Sequence, residues 1–206
     1  MLYIIRHGQT TWNKELRLQG QTDIPLNEEG RRMAREASVQ YKDILDSIDI
    51  CFSSPLVRAY ETAELLLSNR ELSHNIITDD RLKEISFGEF EGLINQVSIP
   101  ESLVYNLFHE PENYEAVGEA EGLNELLKRT GEFYREVLIP LLNEGKNVLV
   151  VGHGGMNSAL ISNVLNWEKK DFWKAMTGNC KLLRITEDGV TSADGEKIKF
   201  IDWNKP

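Results

Sequence analysis

Two histidines and two arginines are the residues of this chain best suited to chemistry, although they lie far apart in the sequence. Arg6 and His7 follow one short apolar run, His153 follows another, and Arg58 lies shortly after a third. Two guanidinium groups suit a phosphate, because their planar forks donate paired hydrogen bonds to its oxygens. A neutral imidazole beside that phosphate can attack phosphorus through a ring nitrogen. These residue types therefore predict phosphoryl transfer.

Protonation is the second requirement of this chemistry. His7 must be unprotonated to attack, and the nearby arginines are expected to lower its pKa. A protonated His153 would help to stabilise the charge on the transferred group. Glycines beside the histidines, including Gly154, would let backbone N–H groups approach the anion. A carboxylic acid must then protonate the leaving alkoxide, which predicts a bell-shaped pH profile with an acidic to neutral optimum.

Strand-like and helix-like patterns alternate along the chain, and this alternation would bring the four residues together. It predicts an α/β fold, a three-layer sandwich with a mostly parallel central sheet flanked by helices. Because ligands bind beyond the carboxyl ends of such strands, the histidines and arginines should meet at one edge. The predicted strands are 2–5, 48–52, 76–78, 147–151, 181–186 and 197–203, and the predicted helices are 28–45, 55–67, 121–143, 156–165 and 168–175.

Composition excludes several classes of protein. The 206 residues include 23 basic and 33 acidic side chains, for a net charge of −10 and a pI near 5.0, which argues against a nucleic-acid partner. No apolar run approaches the ~20 residues that cross a bilayer, so no membrane partner is expected. Two cysteines cannot build a disulfide framework and favour a cytoplasmic protein. A monomer and a homodimer remain equally open.

Sequence blocks in a fixed order between residues 6 and 155 carry a family resemblance. They are Arg6-His7-Gly8-Gln9-Thr10, Thr11-Trp12-Asn13, Leu18-Gln19-Gly20, Ser53-Ser54-Pro55-Leu56-Val57-Arg58-Ala59, Leu82-Lys83-Glu84, Glu91-Gly92 and Gly152-His153-Gly154-Gly155. Together they resemble the histidine phosphatase superfamily, in its phosphoglycerate-mutase-like branch, and in particular its short phosphatases. The resemblance implies the phosphoglycerate-mutase-like fold.

The resemblance also implies a role for each matching residue. His7 would become a phosphohistidine, and Glu84 would be the acid for the leaving group and then the base for water. Neither a metal ion nor another cofactor is implied. The phosphoryl group would be held by Arg6, Arg58, His153, Asn13 and Gln19, with Gly154 beside it.

Three of these assignments have plain structural alternatives. Asn13 could cap a turn, and Gln19 could be an ordinary loop residue. Glu84 has Glu89 and Glu91 close by as rival acids. The family's other branch carries an acid directly after its second histidine, where this chain has Gly154, and this favours Glu84.

The segment between Glu84 and Leu127 should decide what the protein acts on. It contains ten glutamates and no lysine or arginine, whereas related mutases place basic residues there. An acidic border would repel a doubly anionic substrate. We therefore expect one domain over residues 1–206, with 88–122 as an inserted lid beside the site, hydrolysing a small metabolite with one phosphate. The alternatives are mutase-type phosphoryl transfer and a weakly active regulator that binds phosphorylated ligands.

Two further features of this segment leave the pocket open. The family's Gly-Glu-Ser element is matched only by Gly118-Glu119-Ala120, without the serine. Apolar residues of the segment could cover a substrate or could be ordinary packing; they are Val104, Tyr105, Leu107, Phe108 and Tyr114.

Overall fold

The order of helices and strands follows the alternation in the sequence. A computed structural model describes residues 1–195 of the chain. The strands are Leu2–Arg6 (β1), Ile50–Ser53 (β2), Ile76–Thr78 (β3), Val148–Gly152 (β4), Leu182–Thr186 (β5) and Gly189–Ser192 (β6). The α-helices are Thr11–Lys14 (α1), Glu28–Gln40 (α2), Lys42–Leu45 (α3), Val57–Leu67 (α4), Tyr105–His109 (α5), Leu123–Phe133 (α6), Ile139–Asn143 (α7) and Gly154–Leu165 (α8).

The sheet has the order β3-β2-β4-β1-β5-β6 within the described residues. The first four strands in this order pair in parallel, whereas β5 pairs antiparallel with both β1 and β6. The carboxyl ends of β1, β2 and β4 consequently lie at one edge, with Arg6 in register with Gly152. The predicted, mostly parallel sheet is confirmed.

Alternating residues of the central strands pack against helices on opposite faces of the sheet. Leu2 and Ile4 belong to the core formed with α6 and α8, while Tyr3 and Ile5 belong to the core formed with α2 and α4. This is the period-two pattern of a strand buried on both faces. The three-layer prediction is therefore confirmed. Among residues 1–195, no helix has both the length and the apolar character needed to span a bilayer.

Two predicted helices are interrupted. The helix expected over 28–45 breaks at Tyr41, whose ψ of 20° separates α2 from α3. The helix expected over 121–143 widens into a π-helical turn at Tyr134–Leu138 before α7. Pro140 lies in the first turn of α7, where its missing N–H and its ring are tolerated, and the wide turn before it accommodates this.

The bounds of the helices and strands after residue 150 also differ from the predictions. Helix α8 begins at Gly154, so the two glycines form its first turn instead of preceding it. The helix expected over 168–175 is only a 3-10 turn at Lys169–Asp171. Strand β6 follows directly on the turn at Asp188. The strand predicted over 197–203 lies outside the described residues.

Between β3 and α6 the chain is irregular. Short 3-10 turns at Gly88–Phe90, Gln96–Ser98 and Pro111–Asn113 alternate with helix α5. The segment is tied to the loop after α1 by backbone hydrogen bonds, such as Leu18 N–H to the Leu93 carbonyl at 3.0 Å. This places it over the sheet edge at which β1, β2 and β4 end.

Candidate active site

The four residues singled out by their chemistry meet at the predicted edge. His7 and His153 follow β1 and β4, and their rings lie 5.2 Å apart between centroids, at an angle of 61°. Arg6 ends β1 and Arg58 lies in the first turn of α4. Arg6, His7, Arg58 and Glu84 line one cavity of about 510 Å³. His153 lies behind this cavity and lines a small pocket with Arg6.

The ring of His7 is held in one orientation and one tautomer. Its Nδ1 lies 2.7 Å from the Gly8 carbonyl oxygen, which can only accept, so Nδ1 carries the hydrogen. The lone pair is therefore on Nε2. Burial is the main cause of a pKa far below the usual histidine value, and the charges of Arg58 and Arg6 lower the pKa further. The arginine effect was predicted from sequence, but the larger contribution of burial was not.

A glycine is needed at position 8 because of close packing against Gly30, and not because of contact with an anion. A Cβ atom at this position would lie 2.5 Å from the carbonyl oxygen of Gly30. The Gly8 N–H donates to Thr62 Oγ1 at 3.0 Å, and that hydroxyl donates to the Arg58 carbonyl. The close approach of Gly8 therefore connects β1 to the helix that carries Arg58.

Both arginines are held by carbonyl oxygens and keep N–H donors without a protein partner. Arg58 is fully buried and donates to the carbonyls of Gly20 and Thr22 at 2.6 and 2.9 Å. Arg6 donates to the Thr177 carbonyl at 3.4 Å. The buried Nε of each guanidinium has no protein partner. Burial lowers the pKa of Arg58 to about 10, so it stays charged at neutral pH. Two buried cations with unused donors favour an anion.

His153 contributes a further pair of unpartnered nitrogens. The residue is fully buried, and neither ring nitrogen has a protein hydrogen-bond partner. Burial, with the neighbouring Arg58, lowers its pKa well below the usual value. Both effects favour the neutral ring, whereas a protonated His153 was expected from the sequence. A bound dianion would favour the protonated ring by its charge.

Thr10 orients the two predicted amide residues. Its hydroxyl donates to Gln19 Oε1 at 2.8 Å, and its N–H donates to Asn13 Oδ1 at 3.1 Å. Thr10 is the N-cap residue of α1, and Asn13 completes the capping box as the N3 residue, so Asn13 has the local structural role that the alternative proposed. Because both amide oxygens are engaged, the NH₂ groups are the donors that remain, and both residues line the cavity. Thr10 was not singled out, although its capping pattern with Asn13 is legible in the sequence.

Glu84 lies at the N-terminus of α8. Its carboxylate accepts from the N–H groups of Gly155 and Met156, at 3.1 and 2.8 Å, and from its own neighbour Ile85 at 3.0 Å. The backbone donors that were expected to cradle an anion beside Gly154 are therefore directed at Glu84. Gly154 itself lines the cavity. Of the rival acids, neither Glu89 nor Glu91 lines it.

An ion pair on α6 holds the backbone that carries Glu84. Arg129 donates to the carbonyls of Arg81, Lys83 and Glu84 at 2.7, 2.7 and 3.0 Å. Its remaining hydrogen bonds go to both carboxylate oxygens of Glu121, at 2.6 and 2.9 Å. Sequence reasoning missed Arg129, because nothing local connects a helix residue with a turn more than forty positions earlier.

Glu91 organises the loop that anchors Arg58. Its carboxylate accepts from the N–H groups of Gln21 and Thr22 at 2.9 and 2.8 Å, from Phe87 N–H at 3.1 Å, and from the Thr22 hydroxyl. Thr22 in turn supplies a carbonyl to Arg58. This glutamate therefore acts on the site through the backbone.

The wall of the cavity is not acidic. Of the ten glutamates between residues 84 and 127, Glu84 alone lines the cavity. The segment contributes Val97 and Phe108 to the wall, while Val104 and Leu107 are core residues. The prediction of an acidic border is wrong, because several of these carboxylates accept hydrogen bonds from backbone N–H groups or from Arg129, and those other than Glu84 do not line the cavity. The apolar residues serve partly as packing and partly as wall.

Asn179 is a further cavity residue that sequence reasoning did not find. Its Nδ2 donates to the His7 carbonyl at 2.7 Å. The residue lies in the turn before β5, and no sequence pattern distinguishes it from other loop asparagines. It fixes the backbone of His7 from the side of the antiparallel strands.

The chain's sequence matches the profile of the histidine phosphatase superfamily, branch 1, over residues 2–195. The chain therefore belongs to the histidine phosphatase superfamily. The phosphoglycerate-mutase-like resemblance is confirmed by relatives that carry phosphatase and mutase names.

Three similar proteins illustrate this range. A probable 2-carboxy-D-arabinitol-1-phosphatase of Arabidopsis thaliana is 32% identical over 195 residues, which cover 93% of this chain and 38% of that protein. The chain thus spans well under half the length of this relative. A 2,3-bisphosphoglycerate-dependent phosphoglycerate mutase 2 of Gloeobacter violaceus is 33% identical over 165 residues, covering 78% of this chain and 74% of that protein. A solved mycobacterial glucosyl-3-phosphoglycerate phosphatase complexed with VO3 has a TM-score of 0.73 at 26% identity, covering 88% of this chain and 90% of that one.

Proposed function

We propose that this protein is a metal-independent phosphomonoesterase that forms a phosphohistidine at His7 and hydrolyses a small metabolite carrying one phosphate. The observation that carries the proposal is the fixed tautomer of His7, which leaves the Nε2 lone pair beside two buried guanidinium groups. Phosphohistidine chemistry is general to the superfamily. The two arginines supply positive charge without a metal ion.

In the first step the Nε2 of His7 attacks phosphorus, the N–P bond forms, and the ester P–O bond breaks. Arg6, Arg58 and His153 stabilise the charge that spreads over the three equatorial oxygens. The NH₂ groups of Asn13 and Gln19 donate to the same oxygens, with Gly154 at the edge of the site. The carboxyl group of Glu84 gives its proton to the leaving alkoxide.

In the second step a water molecule attacks the phosphohistidine. Glu84, now a carboxylate, takes a proton from this water as the P–O bond forms. The N–P bond breaks, and inorganic phosphate leaves with His7 restored. The N–H groups of Gly155 and Met156 support this step, because they hold the carboxylate in place.

Mutase chemistry is the second candidate, since the mutase relative is about as similar as the phosphatase relatives. A mutase must hold an acceptor that carries a second anionic group. Among the described residues, Arg17 is the one cation that lines the cavity besides the two arginines near His7. Its Nε lies 2.6 Å from a carboxylate oxygen of Glu15. This pairing favours transfer to water.

The proposal also includes the segment 88–122 as a cover for the site. It supplies Asn95, Val97, Ser98 and Phe108 to the cavity wall. These residues would exclude bulk water around the leaving group without closing the site to the attacking water.

The test is hydrolysis of 4-nitrophenyl phosphate in EDTA, with wild type beside His7→Ala. We expect EDTA-resistant release of phosphate by the wild type and none by the variant. A rapid quench with ³²P-labelled substrate should give a protein-bound label that is labile in acid and stable in base, as a phosphoramidate is. Activity that EDTA abolishes, or a label that persists in His7→Ala, would contradict the proposal.

A mutase is tested in the same preparation. Incubation with 3-phosphoglycerate and catalytic 2,3-bisphosphoglycerate should give no 2-phosphoglycerate. His109→Asn is the matched histidine control, because this ring lies outside the cavity and bonds to the Val97 carbonyl. It should retain wild-type turnover.

A further inference from the structure

We infer that the substrate's alcohol carries a bulky apolar or aromatic body and no second anionic group. This inference rests on the proposed phosphatase function and goes beyond it, because it concerns the end of the cavity remote from His7. The two ends of the cavity differ: donors gather around His7, whereas much of the remaining wall is apolar, with Arg17, Asn95 and Ser98 as its polar residues.

An aromatic row forms the main part of this apolar wall. The rings of Phe108 and Trp173 are nearly parallel at 9°, with centroids 5.3 Å apart, and Phe87 continues the row at 6.3 Å from Phe108. The Trp173 indole N–H donates to the Leu107 carbonyl at 2.5 Å, so it is not presented to a ligand. Because these rings pack against one another and Phe87 and Phe108 are buried, the parts of them that line the cavity are what an apolar or aromatic group could contact.

Other apolar side chains add to the wall outside this row. Leu16, Leu18, Val97 and Met176 line the cavity. Leu16 is 67% exposed at the mouth, although a large apolar side chain gains nothing from contact with water. Burying these surfaces against a substrate would contribute about 25 cal/mol per Å² of apolar area removed from water.

The volume of the cavity and the charges of its lining also favour a large substrate without a second anionic group. The cavity of about 510 Å³ is far larger than a phosphate group, which is comparable to a few water molecules of about 30 Å³ each. Arg17 is the cation of the remote end among the described lining residues, and it is bound to Glu15 and to the Gly92 carbonyl. A carboxylate or second phosphate on the substrate would therefore lose water without gaining a free cation.

The test uses primary alkyl monophosphates of one chain length that differ only at the far end. The ends are phenyl, hydroxyl and carboxylate, so the reactivity of the P–O bond is nearly constant. We expect kcat/KM for 3-phenylpropyl phosphate to exceed that for 3-hydroxypropyl phosphate about tenfold. The carboxylate-ended ester should be the poorest. Equal values for the three esters, or preference for the carboxylate, would overturn the inference while leaving the phosphatase proposal intact.

Binding separates the inference from the phosphatase proposal. Titration calorimetry of the three esters with His7→Ala measures affinity without turnover, and the same order of Kd is expected. If no ester is hydrolysed by the wild type, the proposed function fails, and the Kd order alone then decides the inference. Equal Kd values would overturn it in that case too.

Two wall variants and their matched controls sharpen the result. Val97→Thr replaces a methyl group of the wall by a hydroxyl and should lower the phenyl-to-hydroxyl ratio about threefold. Val39→Thr, at a position 78% exposed on α2, should not change the ratio. Ser98→Lys adds a cation to the wall and should raise kcat/KM for the carboxylate-ended ester about fivefold. Asn143→Lys adds the same charge at the exposed end of α7, which precedes the amino end of β4, as its control. A ratio unchanged in both wall variants would contradict an apolar subsite at this end.

Discussion

The two ends of the cavity are built by different means. The phosphate end is formed at the carboxyl ends of three neighbouring strands, and its charged groups are held by backbone carbonyls. The remote end is formed by an irregular segment of short turns and by side chains such as Phe108 and Trp173. In the proposed mechanism the chemistry would be located on the rigid sheet, whereas substrate choice would depend on a segment that can change without disturbing the sheet.

The largest effect should come from the phosphate end and be the same for every substrate. His7→Ala removes the attacking nitrogen and should lower kcat about 10⁴-fold or more for aryl and alkyl esters alike. Steady-state assays with 4-nitrophenyl phosphate and 3-phenylpropyl phosphate measure this. A loss confined to one substrate would show that the two ends are not separable.

The next effect should depend on the leaving group. Glu84→Gln keeps the size of the side chain but cannot give a proton, so kcat for an alkyl ester should fall about 10²- to 10³-fold. Because 4-nitrophenolate leaves without help, the nitrophenyl ester should lose much less. Glu89→Gln is the control, since Glu89 lies outside the cavity. Equal losses for both esters would remove Glu84 from the role of acid.

A smaller effect of the same kind is expected from Arg129, which is a positioning residue. Arg129→Lys keeps the charge but cannot bridge three carbonyls and a carboxylate, so Glu84 should shift and kcat for alkyl esters should fall about tenfold. The nitrophenyl ester should be nearly unaffected. Arg135→Lys, at an exposed position in the π-helical turn after α6, is the control. A loss independent of the leaving group would indicate general damage to the fold.

The smallest effect concerns stability and pH. His7 and His153 have folded-state pKa values below the unfolded value of about 6.5, so the unfolded chain binds more protons as the pH falls. Stability is therefore present above pH 6.5 and is lost as the pH falls through it. His153→Gln should remove part of this loss, worth up to about 1.4 kcal/mol per pH unit. Urea unfolding between pH 7.5 and pH 5 measures the free energy of unfolding of the wild type and of His153→Gln. An equal decrease with falling pH in both proteins would contradict the prediction.

The meeting of Arg6, His7 and His153 at one edge was predicted from the sequence for a physical reason. Apolar runs such as Val148–Val151 identify buried parallel strands, and the residues after them must meet at one edge. Arg6, His7 and His153 follow from this rule without any knowledge of side-chain contacts. The bounds of β4 and β1 differ from the predictions by a single residue.

The partners of the side chains could not be predicted in the same way. Backbone N–H groups beside the histidines were expected to receive an anion, but those of Gly155 and Met156 bind Glu84, which lies some seventy residues earlier. The acidic segment was expected to repel substrate, because a sequence gives the number of charges but not their directions. Hydrogen bonds between distant segments, such as those of Arg129 and Glu121, have no local pattern.

The carboxylate of Glu91 has a consequence for how the protein fails under stress. It ties residues 21 and 22 to the turn at Phe87, and that loop anchors Arg58. Hydrogen bonds such as those of Glu91 and Arg58 hold this loop outside the sheet, so it can open locally while the sheet stays folded. Amide hydrogen exchange at Gln21 and Thr22 should then be much faster than in β4, and heat inactivation should precede the loss of circular dichroism. Arg58 would then lose the carbonyl partners that position it before the protein unfolds.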